Sequence, residues 1–169
     1  NLALKRRYWS HDEQGILVAK SNIASCLAEL GRDDEALVLH RRVHARMMPL
    51  FGVSHARTIQ SASNVIVVCT NLSRFAEAKR MLLEQLPIAN RVLGEDHEVT
   101  LSMQRNVVIN LLNDPESTKD DASQAERTAK SALGILRRVY GAKHPQTRVM
   151  ESWLRDAQHK LETFGDADP

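Results

Sequence analysis

The sequence predicts an all-α array of stacked antiparallel helix pairs, and two observations carry this prediction. A Gly-x-x-His-x-x-Thr motif, called the junction motif below, begins at Gly52, Gly94 and Gly141, so it recurs after 42 and then 47 residues. Such a period is typical of solenoids, in which each unit buries its apolar face only against its neighbours. Between the motifs, apolar residues recur at helical spacing, and the few glycines and prolines lie mostly at the junctions.

We therefore predict one continuous solenoid over residues 1–164. Residues 1–9 resemble the ends of later units and are interpreted as the tail of a preceding helix, and 10–15 as a degraded junction. Residues 165–169 are interpreted as a disordered tail. The predicted units are about 10–51, 52–93 and 94–140, followed by a capping helix over 145–164.

In the first unit, apolar residues at helical spacing predict a helix that buries one face and ends before Gly31. Asp33 or Asp34 is expected to cap the next helix, which Gly52 ends in a left-handed turn. The stripe expected to face inward consists of Ile16, Ile23, Leu27 and Leu30.

The second unit repeats this order, with a turn at Ser73 and a second helix that includes Pro87. Because a proline inside a helix removes one backbone hydrogen bond, we predict a bend there. Its expected inward residues include Ile59, Val65, Cys69, Leu82 and Val92.

The third unit carries five extra residues in its turn. A surface turn lengthens at small entropic cost, so we place the insertion in an exposed acidic loop over 113–121. The last helix is expected to present Val149, Trp153 and Leu161 inward.

The composition of the chain limits the classes of function that we expect. The formal charge of +2, from 23 basic and 21 acidic residues, does not favour nucleic acid as a partner. No run is long and apolar enough to predict a membrane span. Cys26 and Cys69 are interpreted as buried thiols of a reducing compartment, which favours a cytoplasmic location. The chain begins without Met, and we expect it to be part of a longer chain or a multi-protein assembly.

Several motifs together resemble the tetratricopeptide repeat, in its 42-residue form found in kinesin light chains. They are helix pairs with a small residue at Ala36, Ala78 and Ala125, the pairs Glu35-Ala36 and Glu77-Ala78, and Arg91-Val-Leu-Gly-Glu-Asp-His97 ahead of the next unit. The resemblance implies a right-handed superhelical solenoid that binds peptides on its concave face. Armadillo and HEAT repeats have a similar period and remain the alternative fold, although they lack the junction motif.

Asparagines recur at the same position of three successive units, at Asn22, Asn64 and Asn106. Stacking would align them in one row, and an asparagine amide can pair with the backbone of any extended peptide. The resemblance implies that this row lies on the concave face. Alternatively, the amides only hold adjacent helices together. The candidate peptide-binding residues are Asn22, Ser25, Gln60, Ser63, Asn64, Asn71, Arg105 and Asn106.

Arg105 is the cation expected in this groove, where it would pair with a ligand carboxylate or, alternatively, with an acid such as Glu29. His55, His97 and His144 lie one unit apart, too far to share one metal ion, and are expected to cap helices instead. His40 and His44 have the spacing of two metal ligands but no third ligand nearby in sequence.

The sequence therefore predicts a protein-interaction module without catalytic activity, cofactor or metal, since no catalytic or phosphate-binding motif occurs. Capture of an extended peptide along the amide row is the preferred interpretation. The second is a scaffold subunit that joins partners through its convex helices and the 113–121 loop, with Tyr8 and Trp9 among its contacts. The third is an accessory domain of an enzyme.

Overall fold

Seven α-helices and no strand make up the described part of the chain. The computed structural model describes the backbone of residues 2–165 and the side chains of residues 13–164. The helices are α1 (Leu2–Glu29), α2 (Asp33–Phe51), α3 (Ala56–Asn71), α4 (Phe75–Leu93), α5 (Glu98–Asn113), α6 (Lys119–Val139) and α7 (Pro145–Gly165). No helix in this part is both long and apolar enough to cross a membrane.

Consecutive helices pack against each other, and the helices form two layers. In the inner layer, α3 contacts both α1 and α5, and α5 also contacts α7. In the outer layer, the backbones of α2, α4 and α6 do not approach one another within the described residues. The array is therefore tighter on the side of α1, α3, α5 and α7.

In the outer layer, ion pairs between long side chains connect helices whose backbones do not approach one another. Arg41 of α2 pairs with Glu77 of α4, and Lys79 of α4 pairs with Asp121 of α6 at 2.7 Å. The hydrogen bond from Lys79 holds the pKa of Asp121 at about 2, well below its usual value. The outer helices are thus joined by ion pairs across gaps.

Three alanines that carry the tetratricopeptide resemblance, Ala36, Ala78 and Ala125, are fully buried. Ala36 and Ala78 belong to one apolar cluster with Val65 of α3, and Ala125 belongs to another with Leu111 of α5. The pairing of these alanines across the hairpins stays a prediction.

The glycine and the histidine of the junction motif each act on the nearby backbone. Its glycines have positive φ, which a side chain would strain: +82° at Gly52, +96° at Gly94 and +85° at Gly141. Each histidine accepts, at Nδ1, the backbone N–H two residues later: His55 at 3.2 Å, His97 at 3.1 Å and His144 at 3.3 Å. The expected helix-capping role of the histidines is confirmed.

One prediction fails at the beginning of the chain. Helix α1 continues without interruption through residues 10–15, where a junction was expected, so residues 1–9 are not the tail of a separate helix. Gly15 is helical here, and a glycine inside a helix costs only about 1 kcal/mol relative to alanine. The segment also lacks a proline, so nothing in it forces a break.

Three of the four residues of the inward stripe predicted for α1 are exposed, and the fourth, Leu27, packs against an apolar cluster as expected. Ile16, Ile23 and Leu30 are 51%, 55% and 73% exposed, whereas Leu17 and Ala24 are buried. The stripe at seven-residue spacing faces away from α2 and α3. Three further residues expected inside are also exposed: Val92, Val149 and Cys26.

Two predicted helix starts also differ from the structure. Lys119–Asp121, expected in the loop, form the first turn of α6, because the Thr118 and Asp121 side chains each accept the other's backbone N–H. The loop is therefore confined to residues 114–118. Neither Asp33 nor Asp34 caps α2, which follows Arg32 without a side-chain cap.

Two other expectations remain open. Helix α4 continues through Pro87, so the proline does not end it, and the bend stays a prediction. The disordered tail was expected at 165–169, but residues 166–169 lie outside the described part.

Candidate functional site

Two of the cavities on the inner layer adjoin α3, where the sequence predicted a peptide groove. The first, of about 370 Å³, lies between α1, α2 and α3, and we call it the amide cavity. The second, of about 660 Å³, lies mainly between α3 and α5, and we call it the arginine cavity. The amide cavity is lined by Val18, Ser21, Asn22, Ser25, Gln60 and Asn64 among others, and the arginine cavity by Val67, Asn71, Phe75, Arg105, Ile109 and Trp153 among others.

Hydrogen bonds in the amide cavity connect α3 to α1. Gln60 Nε2 donates to Asn64 Oδ1 at 3.0 Å, and Asn64 Nδ2 donates to Ser21 Oγ at 3.1 Å. Ser25 Oγ donates to the Ser21 carbonyl of its own helix at 3.1 Å. Asn64 thus holds two helices together, as the structural interpretation of the asparagines expected.

Asn22 differs from the other two asparagines of the predicted row. It is exposed, and its side chain makes no hydrogen bond with another described residue. Asn106 is only 3% exposed, and its Nδ2 donates to the Ser102 carbonyl of its own helix at 2.8 Å. Of the three, Asn22 is the amide most available to a ligand.

The arginine cavity combines one cation with apolar side chains. Arg105 Nη2 lies 3.5 Å from Ser102 Oγ, and within residues 13–164 its guanidinium forms no ion pair with a carboxylate. The expected alternative pairing with Glu29 is therefore not present. A half-buried arginine beside apolar walls is suited to a carboxylate on an otherwise apolar ligand.

Two remaining candidate residues have different positions. Asn71 is exposed at the rim of the arginine cavity, where its Nδ2 lies 3.4 Å from Asp33 Oδ1. Ser63 is buried and lines neither cavity, so its assignment to the groove surface is wrong. Because α3 is packed between α1 and α5, a side chain as short as serine does not reach past its neighbours.

Sequence reasoning missed a second cation. Arg57 also lines the amide cavity, and its Nη2 lies 2.8 Å from the Gln14 side-chain oxygen when that amide is oriented to accept. The sequence could have indicated this position, because Arg57 follows His55 by two residues and therefore lies in the first turn of α3. Each cavity therefore has one arginine.

His40 of α2 is buried, and His44 of the same helix contacts α3. His44 Nδ1 lies 2.8 Å from Ser61 Oγ, while the Ser61 hydroxyl donates to the Thr58 carbonyl at 2.7 Å. His44 is therefore the donor in this contact, the reverse of a histidine that activates a serine nucleophile. Burial lowers the pKa of both His40 and His44.

Of the two thiols, Cys69 is buried and Cys26 is exposed. Burial raises the pKa of the Cys69 thiol to about 11, which keeps it protonated and a poor nucleophile at neutral pH. No group of three or more His, Cys, Asp or Glu side chains among the described residues is placed to hold a metal ion. The inner cavities are lined by amides, arginines and apolar side chains.

Comparison with protein-family models finds no match to this chain, and a search of curated proteins finds no match either. The tetratricopeptide resemblance accordingly stays a prediction from the sequence motifs.

Proposed function

We propose that this protein is an interaction module that binds an extended peptide along the amide cavity and the arginine cavity. The observation that carries the proposal is the adjacency of the two cavities, which both adjoin α3 on the inner layer. Together they offer the unbonded amide of Asn22, apolar walls and an arginine, Arg105, without a carboxylate partner among the described residues.

The chemistry of the two cavities suits different parts of one peptide. Asn22 can both donate to and accept from a peptide backbone, so it contributes affinity without reading the sequence. Arg105 would pair with a carboxylate of the peptide, and Val67, Ile109 and Trp153 would contact an apolar side chain beside it. Because the helices are held in place by packing, little freedom is lost on binding.

The proposal is tested by selecting peptides from a displayed library of linear sequences against the whole chain. Affinities of the selected peptides are then measured by titration calorimetry. We expect the double variant Asn22→Ala/Arg105→Ala to bind about tenfold or more weakly, because it loses one neutral and one charge-assisted hydrogen bond. Neither side chain bridges helices, so the fold should be unchanged.

Arg42→Ala is the matched control, since Arg42 is exposed on α2 and lines neither cavity. It is expected to bind selected peptides as the unchanged chain does. The proposal fails if no peptide binds saturably, or if Arg42→Ala weakens binding as much as the double variant. Selected peptides that instead lose affinity only when residues 114–118 are replaced would favour the scaffold function.

A further inference from the structure

One side of helix α1 has no neighbour among the described residues. Within this part of the chain, α1 contacts only α2 and α3. Apolar residues recur at spacings of three and four on its other side, and all of them are exposed. We call them the α1 face: Ile16, Ala19, Ile23, Cys26 and Leu30. None of them lines the amide cavity or the arginine cavity.

Helix α3 shows what covers the equivalent face one unit later. The counterparts of the α1 face, 42 residues on, are buried except for the last, which is half-buried; they are Thr58, Ser61, Val65, Val68 and Leu72. Val65 and Val68 share an apolar cluster with Ala36 of α2. Ser61 Oγ lies 2.8 Å from Nδ1 of His44, also on α2. On α3, the outer helix α2 therefore covers this face.

Helices α5 and α7 bury the same face. Met103 of α5, the counterpart of Ala19, is buried in a cluster with Leu82 of α4. Met150 of α7, the next counterpart, is buried in a cluster with Ala132 of α6. Each of these inner helices thus packs this face against the outer helix that precedes it. Among the described inner helices, α1 alone leaves the face open.

The charge on α1 indicates the chemistry of the missing neighbour. Glu151 of α7 pairs with Arg137 of the covering helix α6 at 2.8 Å. The same two positions in the α2–α3 pair hold Met48 and Ala62, which are both apolar. Lys20 is the counterpart of Glu151 and Ala62 on α1; it is exposed and has no ion pair within residues 13–164. A covering helix in the same register would match Lys20 with a carboxylate.

The junctions indicate that this neighbour is not a preceding outer helix of the usual kind. Helices α2, α4 and α6 each lead into the next inner helix through a short turn, at residues 52–55, 94–97 and 140–144. Helix α1 continues without a break through residues 10–15, where the equivalent turn would lie. No outer helix is therefore joined to α1 at that place.

We propose that the α1 face binds an amphipathic helix of a partner protein, with small and apolar residues on the bound side and a carboxylate opposite Lys20. This helix would lie on α1 as α2 lies on α3 and α6 on α7. Burial of the apolar side chains supplies most of the affinity, and the charge fixes the register. The inference does not depend on peptide binding in the two inner cavities, because the α1 face is separate from both.

Two synthetic peptides with the sequence of residues 118–139 test the proposal by titration calorimetry against the whole chain. One carries Arg137→Glu and the other keeps the arginine. We expect saturable binding of the glutamate peptide and about threefold or more weaker binding of the arginine peptide, because Lys20 attracts a carboxylate and repels a guanidinium. Lys20→Glu in the chain should reverse this order. Undetectable binding of the glutamate peptide, or an order that Lys20→Glu leaves unchanged, would overturn the proposal.

Two further variants locate the binding on α1. Ile23→Asp places a charge in the middle of the α1 face and should abolish binding of the glutamate peptide. Val38→Asp is the matched control, because Val38 is an equally exposed apolar residue of α2 outside the face. Both side chains are more than half exposed, so both variants should fold, which circular dichroism checks. Equal binding by the two variants would contradict the location.

Sedimentation of the chain alone distinguishes a partner helix from a second copy of this chain. We expect a monomer, because the outer helices of a second copy are already packed between their own inner helices. A dimer that Ile23→Asp dissociates would assign the α1 face to a second copy and overturn the proposal.

Discussion

Helices α1 and α3 carry equivalent sequence positions 42 residues apart, yet α3 buries a face that α1 leaves exposed. Ile16 and Ile23 of α1 are more than half exposed, whereas their counterparts Thr58 and Val65 in α3 are buried. Helix α3 packs against four neighbours, while within the described residues α1 contacts only α2 and α3. In a repeat array, burial is thus decided by the neighbours of a helix as much as by its own pattern.

The largest expected effect comes from removing an isoleucine from each helix. Ile59→Ala in α3 should lower the free energy of unfolding by about 2–5 kcal/mol, because Ile59 is fully buried and leaves a cavity. Ile16→Ala in α1 should change it by less than about 0.5 kcal/mol. Urea unfolding measures both, and equal losses would show that the outer face of α1 is buried in solution.

A pair of glycine variants gives the next largest effect. Both positions have open space for a methyl group, so only backbone conformation separates them. Gly52→Ala should cost about 1–3 kcal/mol, because Gly52 has φ of +82°. Gly15→Ala should stabilise by about 0.5–1 kcal/mol, because Gly15 lies inside α1.

Thermal unfolding of the two glycine variants measures this difference. A destabilised Gly15→Ala would contradict the continuous α1 and restore the junction predicted at residues 10–15. In that case α1 and α3 would differ in where each helix begins as well as in their neighbours.

The smallest effect on stability at neutral pH is expected from the two histidines of α2, His40 and His44. Burial lowers the pKa of His40 and His44 below 6.5, so the unfolded chain takes up protons before the folded chain does. Their contribution to stability is complete above pH 6.5 and falls as the pH drops from 6.5 toward the lowered values. Urea unfolding on both sides of pH 6.5 measures the decrease.

The equivalent helix of the next unit supplies the control for this pH dependence. Positions 82 and 86 of α4 correspond to His40 and His44, and both are leucines. His40→Leu/His44→Leu should therefore flatten the decrease below pH 6.5, and Ser61 keeps its bond to the Thr58 carbonyl. A double variant that loses stability as steeply as the unchanged chain would assign the pH dependence to other groups.

The parts of the fold that were predictable depend on chemistry within a few residues. A glycine that must have positive φ and a histidine that accepts a nearby N–H can be recognised from their spacing, as at Gly94 and His97. The start of α6 was missed although its signal is equally local, since Thr118 and Asp121 form a capping box. The missed start was therefore an error of interpretation.

The candidate site was less predictable, because equivalent side chains of different units have different neighbours. Asn22, Asn64 and Asn106 occupy the same position of three helices, but one is exposed, one bridges helices and one bonds to its own helix. The cavity between α4, α5 and α6 was not predicted at all, because its lining residues belong to three helices and come together only through packing.

Local sequence determined where most helices end and how the junctions turn, because each depends on contacts a few residues apart. Tertiary structure decided which face of α1 is exposed, which asparagine is free and where cavities open between helices. These features depend on distances between helices. Such distances are set by the summed packing of all neighbours, and no single segment of the sequence contains that sum.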